Sequence, residues 1–241
     1  MEIYDALEAE EQQLAAVLAG LTTAQWDAPA ACAGWSMADV LLHLAQCEEA
    51  VVATLQGDAL DWSALGDSVE SAMDSYVAAE RSGGPAVLAR WEGARRAALA
   101  AFRAADQRAR FAWVTNTLRP ASLATTRLAE HWAHALDIAG PLGIDYPDTD
   151  RLRHILWLAH ATLPYAFGVA GEDAPSVRIE AVAPAGEVWV FGAEDAEAVV
   201  RGSAGELARI GARRLDPGGS SVTTSGQRGG EVLARLRNFA V

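Results

Sequence analysis

The chain has 241 residues, is 51% apolar, and carries 32 acidic against 19 basic residues for a formal net charge of −13. An acidic chain without a basic cluster is poorly suited to nucleic acid or to an anionic membrane surface, and no apolar run approaches the roughly 20 residues that span a bilayer. The two cysteines, Cys32 and Cys47, do not make a disulfide framework, and the opening Met1-Glu2-Ile3-Tyr4-Asp5 lacks a signal-peptide pattern, so a soluble cytoplasmic protein is expected.

In chain order, Ile3, Leu7, Leu14, Val17 and Leu18 predict an amphipathic helix over 2–19, stopped at Gly20. A loop follows, with Trp26, Pro29 and Cys32. Ser36 has the chemistry of an N-cap, and Asp39 stands three residues on in a capping-box position. The helix they open runs to about Leu55 through Val40, Leu41, His43, Leu44 and Cys47. Residues 57–84 are acidic, with Asp58, Asp61, Asp67, Glu70 and Asp74, and hold a short helix around 69–79. Their aspartates lack the spacing of a calcium loop and read as solvated surface. Pro85 and Pro120 suit the first turns of two further long helices, to about Ala105 and Ala139.

After Gly140-Pro141 the pattern changes. Residues 149–169 read as one more helix. Val177–Val182 and Glu187–Phe191 alternate with period two across Pro184-Ala185-Gly186, which predicts a hairpin. Ala198–Arg201 reads as a strand, Ser203 as the cap of a helix to about Ala212, Ser220–Ser225 as a last strand and Glu231–Asn238 as a last helix. The fold class is therefore mainly α: an antiparallel up-and-down four-helix bundle over 1–145, then a small α+β domain over 146–241.

The chemistry concentrates in the last bundle helix, at Arg127-Leu-Ala-Glu130-His131-Trp-Ala-His134-Ala-Leu-Asp137. Glu130 and His134 are four apart and share one face; Arg127 and Asp137 extend that stripe at spacings of three. A carboxylate and an imidazole one turn apart supply two ligands to a divalent metal. The order is not His-Glu-x-x-His, which excludes the zinc-protease motif. His43, mid-helix among apolar residues, is the best third ligand. Alone it reads more readily as a core histidine bonded to a carbonyl; facing Glu130 and His134 it completes the kind of site bundles build from inward Glu and His. Asp137 reads equally as a partner for the free ring nitrogen of a ligand histidine or as a surface charge. Arg127 reads as a neutraliser of Glu130, a substrate clamp, or, slightly favoured, an exposed ion pair. His131 lies about 100° around the helix and off the ligand face. His154 and His160 read as interdomain or surface residues, and both cysteines as small buried hydrophobes.

The segment Cys32-Ala-Gly34-Trp35-Ser36-Met-Ala-Asp39-Val-Leu-Leu-His43, with Glu130-x-x-x-His134-x-x-Asp137, resembles the mycothiol-dependent maleylpyruvate isomerase group within the DinB/YfiT-like superfamily of metal-binding four-helix bundles. The resemblance covers about residues 1–145. It implies that His43, Glu130 and His134 bind a divalent ion, zinc first among candidates, and that a low-molecular-weight thiol of the mycothiol type is co-substrate. It also implies a chemistry in which the thiolate adds to an electrophilic carbon, then leaves (isomerisation) or stays (S-transfer). The segment Val199–Arg209 resembles a sterol-carrier-like domain. Expected partners are a small-molecule substrate and the thiol, with a homodimer left open. Two other readings remain: a metal- or apolar-ligand-binding protein without turnover, and a metal-assisted hydrolase. Maleylpyruvate itself is not chosen as substrate, because the sequence aims no arginine at the site.

Overall fold

In the computed structural model, residues 1–58, 69–114 and 116–239 are described. Asp61 and Asp67 of the acidic stretch, and the side chain of Glu70, lie outside the described positions. The chain divides into two compact units, Met1–Tyr146 and Pro147–Val241.

The first unit is a helical bundle. Its long helices are α1 (Ile3–Leu18), α3 (Met37–Gln56), α5 (Gly84–Ala104) and α6 (Pro120–Ala139). Short helices α2 (Thr23–Trp26) and α4 (Val69–Glu80) lie in the connections. Contacts along the helices set their directions. Glu8 and Glu11 of α1 meet Arg103 and Arg95 of α5, and His43 and Glu48 of α3 meet Glu130 and Arg127 of α6. Both pairs are therefore antiparallel. Leu7, Leu14, Leu41, Leu44, Trp91, Phe102, Leu123 and Leu128 fill the core, each aliphatic or aromatic side chain contributing about 1.5–3 kcal/mol by leaving water.

The starts of the helices follow the expected chemistry. The Ser36 hydroxyl accepts from Asp39 N at 3.1 Å while the Asp39 carboxylate accepts from Ser36 N at 2.9 Å, so two otherwise orphaned donors of α3 are satisfied. Gly57 ends α3 at φ 96°, a left-handed conformation that glycine adopts without penalty. Pro85 and Pro120 sit in the first turns of α5 and α6. Between these helices β1 (Phe111–Trp113) and β2 (Asn116–Leu118) form a short antiparallel hairpin. Three-residue strands leave no readable alternation, and neither was anticipated.

The second unit begins with α7 (Leu152–Ala161) and α8 (Leu163–Val169). The single helix expected over 149–169 is thus corrected to two. Pro164 has no N–H to give the preceding turn, so the helix restarts there, and the Thr162 hydroxyl donates to the Leu158 carbonyl at the break, 3.0 Å away. A four-stranded sheet follows in the order β4-β3-β5-β6, with β3 (Val177–Val182), β4 (Val188–Phe191), β5 (Ala198–Ser203) and β6 (Thr223–Ser225). β3 pairs antiparallel with β4, Ile179 opposite Phe191, and parallel with β5, Ile179 opposite Val200. Val177, Ile179, Ala181, Ala198 and Val200 are buried on one face. There α9 (Ala204–Gly211), capped by the Ser203 hydroxyl, packs with α7. The last strand is shorter than expected because Pro217–Gly219 forms a turn of 3-10 helix before it. The last helix, α10 (Gly229–Arg235), ends before Asn238. No helix among the described residues is long and apolar enough to cross a membrane.

Candidate metal centre

α3 and α6 bring His43, Glu130 and His134 to one point. His43 Nε2 lies 3.8 Å and His134 Nε2 3.4 Å from the same Glu130 oxygen, Oε2. The two imidazole rings meet edge to face, with centroids 5.0 Å apart. One donor atom from each residue lies within 4.8 Å of the others. Ligand atoms about 2.0–2.1 Å from a tetrahedral zinc stand about 3.4 Å from each other, so a small contraction closes these three on one ion. The residues present fit a divalent metal in number, type and spacing. Both histidines are buried, whereas the Glu130 side chain keeps 31% of its exposure; the cluster therefore opens towards solvent on the Glu130 side.

Electrostatics favour an ionised carboxylate there. Burial raises the Glu130 carboxyl, but the adjacent His134 and His43 rings and the charge of Arg127 overcome it and hold the group well below the usual carboxylate range. For His43, burial opposes protonation while Cys47 and Glu130 beside it favour it, with a net rise to about 10. Cys47, one turn along α3, places its sulfur 3.8 Å from His43 Nε2 and is itself buried. The Trp35 ring lies against His43 with centroids 5.3 Å apart.

Asp137 is the hinge of the outer layer. Its Oδ2 is 2.9 Å from His134 Nδ1 and accepts from Cys32 Sγ at 3.1 Å. An ionised carboxylate can only accept, so Nδ1 carries a proton and Nε2, which faces Glu130, is the nitrogen left for a metal to engage. The Asp137 side chain is buried, not a surface charge. Cys32 is half-buried and hydrogen-bonded to this carboxylate, which corrects its reading as a small buried hydrophobe. A motif gives no warning of this contact, because Cys32 belongs to a loop more than a hundred residues earlier.

Arg127 points elsewhere. It is 2% exposed, and its Nε donates to Glu48 at 2.7 Å. The exposed ion pair and the substrate clamp both give way to a buried pair inside the bundle. Around it lie Glu11, Arg95, Trp91 and His131. Both Glu11 oxygens and Glu48 Oε2 have no hydrogen-bond partner, and all three side chains of the Glu11, Glu48 and His131 group are buried. His131 accepts at Nε2 from Trp91 Nε1, 3.1 Å away, and its Nδ1 lies 2.9 Å from the Arg127 carbonyl. The ring is thus a neutral Nδ1–H tautomer; burial and the Arg127 charge push its pKa down to about 3. Burial and the neighbouring Glu48 push Glu11 up to about 9. The sequence carried a signal for this cluster: Glu11 falls on the Leu7–Leu14–Leu18 stripe and Glu48 on the Leu41–Leu44–Val51 stripe, where a carboxylate has no access to water. His160, expected at an interdomain or surface position, is half-buried, with Nε2 2.9 Å from the Val177 carbonyl of the same unit.

A four-helix bundle with an inward Glu-x-x-x-His pair on one helix and a histidine facing it from another defines the class of metal-competent helical bundles. The sequence agrees at the level of family: residues 7–139 match the model of the mycothiol maleylpyruvate isomerase N-terminal domain, and the chain belongs to that family. An uncharacterized protein of Mycobacterium tuberculosis, from each of two strains, is 29% identical over 240 residues, covering 97% of this chain and 93% of the relative. Two crystal structures of mycothiol-dependent maleylpyruvate isomerase, one of them a mutant, share its fold with a TM-score of 0.64 at 16% identity, over 92% of this chain and 91% of theirs.

Proposed function

We propose that the protein is a divalent-metal-dependent enzyme that uses a low-molecular-weight thiol of the mycothiol type for isomerisation or S-transfer on a small electrophilic substrate. The observation that carries this reading is the meeting of His43, Glu130 and His134 at donor spacings within 4.8 Å, open on the Glu130 side. Family membership supports the thiol. Three protein ligands leave a position for an incoming sulfur or oxygen. A bound divalent ion, zinc by ligand type, would supply the thiolate at neutral pH, where a free thiol of pKa about 8.5 is mostly protonated.

The protein's own residues do the remaining work. Asp137 holds the proton on His134 Nδ1 and so aims Nε2 inward. Arg127, fixed by Glu48, offsets the charge of Glu130 from within the core. Trp35 closes one side of His43. We also read the second unit, through β5 and α9, as a sterol-carrier-like module, and a cytoplasmic location suits a reaction that needs a reduced thiol.

The test is to incubate the zinc-loaded full chain with mycothiol and a panel of activated alkenes and epoxides, and follow products by mass spectrometry. Thiol-dependent isomers or conjugates are expected. Product formed equally without thiol would replace this reading by a hydrolase. Saturable binding of an apolar ligand with no turnover would replace it by a binding protein.

A further inference from the structure

The two candidate histidine ligands are backed differently. Nε2 of each faces Glu130 Oε2, at 3.8 Å from His43 and 3.4 Å from His134. The second nitrogen of His134 has Asp137 beside it at 2.9 Å. A histidine that gives one nitrogen to a metal keeps its proton on the other, and an acceptor placed there fixes the tautomer and the orientation of the ring. His43 has no carboxylate or carbonyl in that place among the described residues. The hydrogen-bonding partner of its Nδ1 is the sulfur of Cys47, 3.9 Å away.

That sulfur is committed to the ring. Cys47 stands four residues after His43 on α3, so the helix itself brings the two side chains together. The cysteine is 6% exposed. Among the described residues, its sulfur meets no hydrogen-bonding group other than the two nitrogens of His43, at 3.8 and 3.9 Å. It stands level with both, so once an ion engages Nε2 the contact with Nδ1 is the one left. The other neighbours of the ring hold it by contact. The Trp35 indole, anchored by its Nε1 to Asp74 at 2.9 Å, lies tilted against it, and His134 meets it edge to face.

We infer that Cys47 is a positioning residue of the metal centre: its sulfur accepts from His43 Nδ1–H and keeps Nε2 turned to the ion, the part that Asp137 plays for His134. This deepens the proposed function and rests on the metal in it. Thiol sulfur is a weak acceptor and a carboxylate a strong one, so His43 is the less firmly backed of the two imidazoles.

The experiment uses the full chain loaded with cobalt(II), whose paramagnetism shifts the exchangeable N–H protons of ligand imidazoles clear of the rest of the proton NMR spectrum. Two such signals are expected, one from each histidine. Cys47→Ala should lose one of them to exchange with water and should weaken cobalt binding about tenfold, read by competition with a chromogenic chelator, with the helical circular dichroism retained. Cys47→Ser restores an acceptor at the same position and should recover most of both losses. An alanine variant with both signals and unchanged affinity, or alanine and serine variants impaired alike, would overturn the inference and leave the three ligands standing. A sulfur-to-cobalt absorption band in the unmodified chain without added thiol, lost in Cys47→Ser, would overturn it by making Cys47 a ligand. Failure of the unmodified chain to take up cobalt would remove the metal centre itself and this role with it.

Discussion

Asp137 stands three residues after His134 on the same helix and accepts a hydrogen bond from its Nδ1 at 2.9 Å. One carboxylate thereby decides which nitrogen of the histidine faces Glu130 and His43. Removing it frees the ring to rotate and to change tautomer. Asp137→Ala should weaken divalent-metal affinity about 10–100-fold, measured by competition with a chromogenic chelator, with the helical circular dichroism retained. Unchanged affinity would show that the ring is held by packing alone.

The three candidate ligands make a stronger demand. Replacing His43, Glu130 or His134 singly by alanine should lower bound zinc from one equivalent to a small fraction after dialysis, measured by elemental analysis. Each truncates a polar side chain of the cluster and leaves the core side chains Leu41, Leu44, Leu123 and Leu128 in place. One full equivalent in all three variants would remove the site.

The buried pair of Arg127 and Glu48 predicts a stability effect. Glu48→Gln leaves the guanidinium in the core without its counter-charge and should cost about 3–5 kcal/mol. The double replacement Glu48→Leu with Arg127→Met removes both charges and should recover most of that loss. Urea unfolding of the bundle unit distinguishes the two cases; a double variant no better than the single one would mean that the pair does more than neutralise itself.

Stability should also fall at both ends of the pH range. Glu11 has a folded pKa of about 9, above its unfolded value of about 4.3, so the folded state holds the extra proton between these values. Its contribution is full below the unfolded pKa and is lost as pH rises through 9. Glu11→Gln should flatten this alkaline limb and stabilise the chain at pH 9 by about 1–3 kcal/mol. His131 behaves oppositely: its folded pKa of about 3 is below the unfolded value of about 6.5, so its contribution is present above 6.5 and lost as pH falls towards 3. Thermal melts from pH 4 to 10 report both limbs; an alkaline limb of equal slope in Glu11→Gln would dismiss the carboxyl as its source.

The long helices were legible because their caps and apolar stripes are local: Ser36 with Asp39, Pro85, Pro120, and leucines three and four apart. The meeting of the three candidate ligands was legible in two parts. The four-residue spacing puts Glu130 under His134, and His43 stands out as the one histidine of α3. The bond from Cys32 to Asp137 and the contact of Trp35 with His43 were hidden, because tertiary packing sets them and loop 27–36 has no periodicity to project. The Glu11, Glu48 and Arg127 cluster was missed for another reason. A charged residue on an apolar stripe invites the assumption that it reaches water, and here it is enclosed by the fourth helix. The split at Thr162 was written in Pro164 and was overrun by the apolar pattern on either side.

His131 sits next to Glu130 in the chain and only three residues from His134, yet it has nothing left to offer a cation. One nitrogen already receives the indole N–H of Trp91 and the other is spent on a main-chain carbonyl. Glu11 and Glu48 come within 4.8 Å of it, which alone resembles a second nest of ligands, but two guanidinium groups approach the same carboxylates. The charges at the centre of the bundle are thus balanced by arginine without a cation: a zinc titration should saturate after a single ion, with the neighbouring imidazole chemically silent throughout.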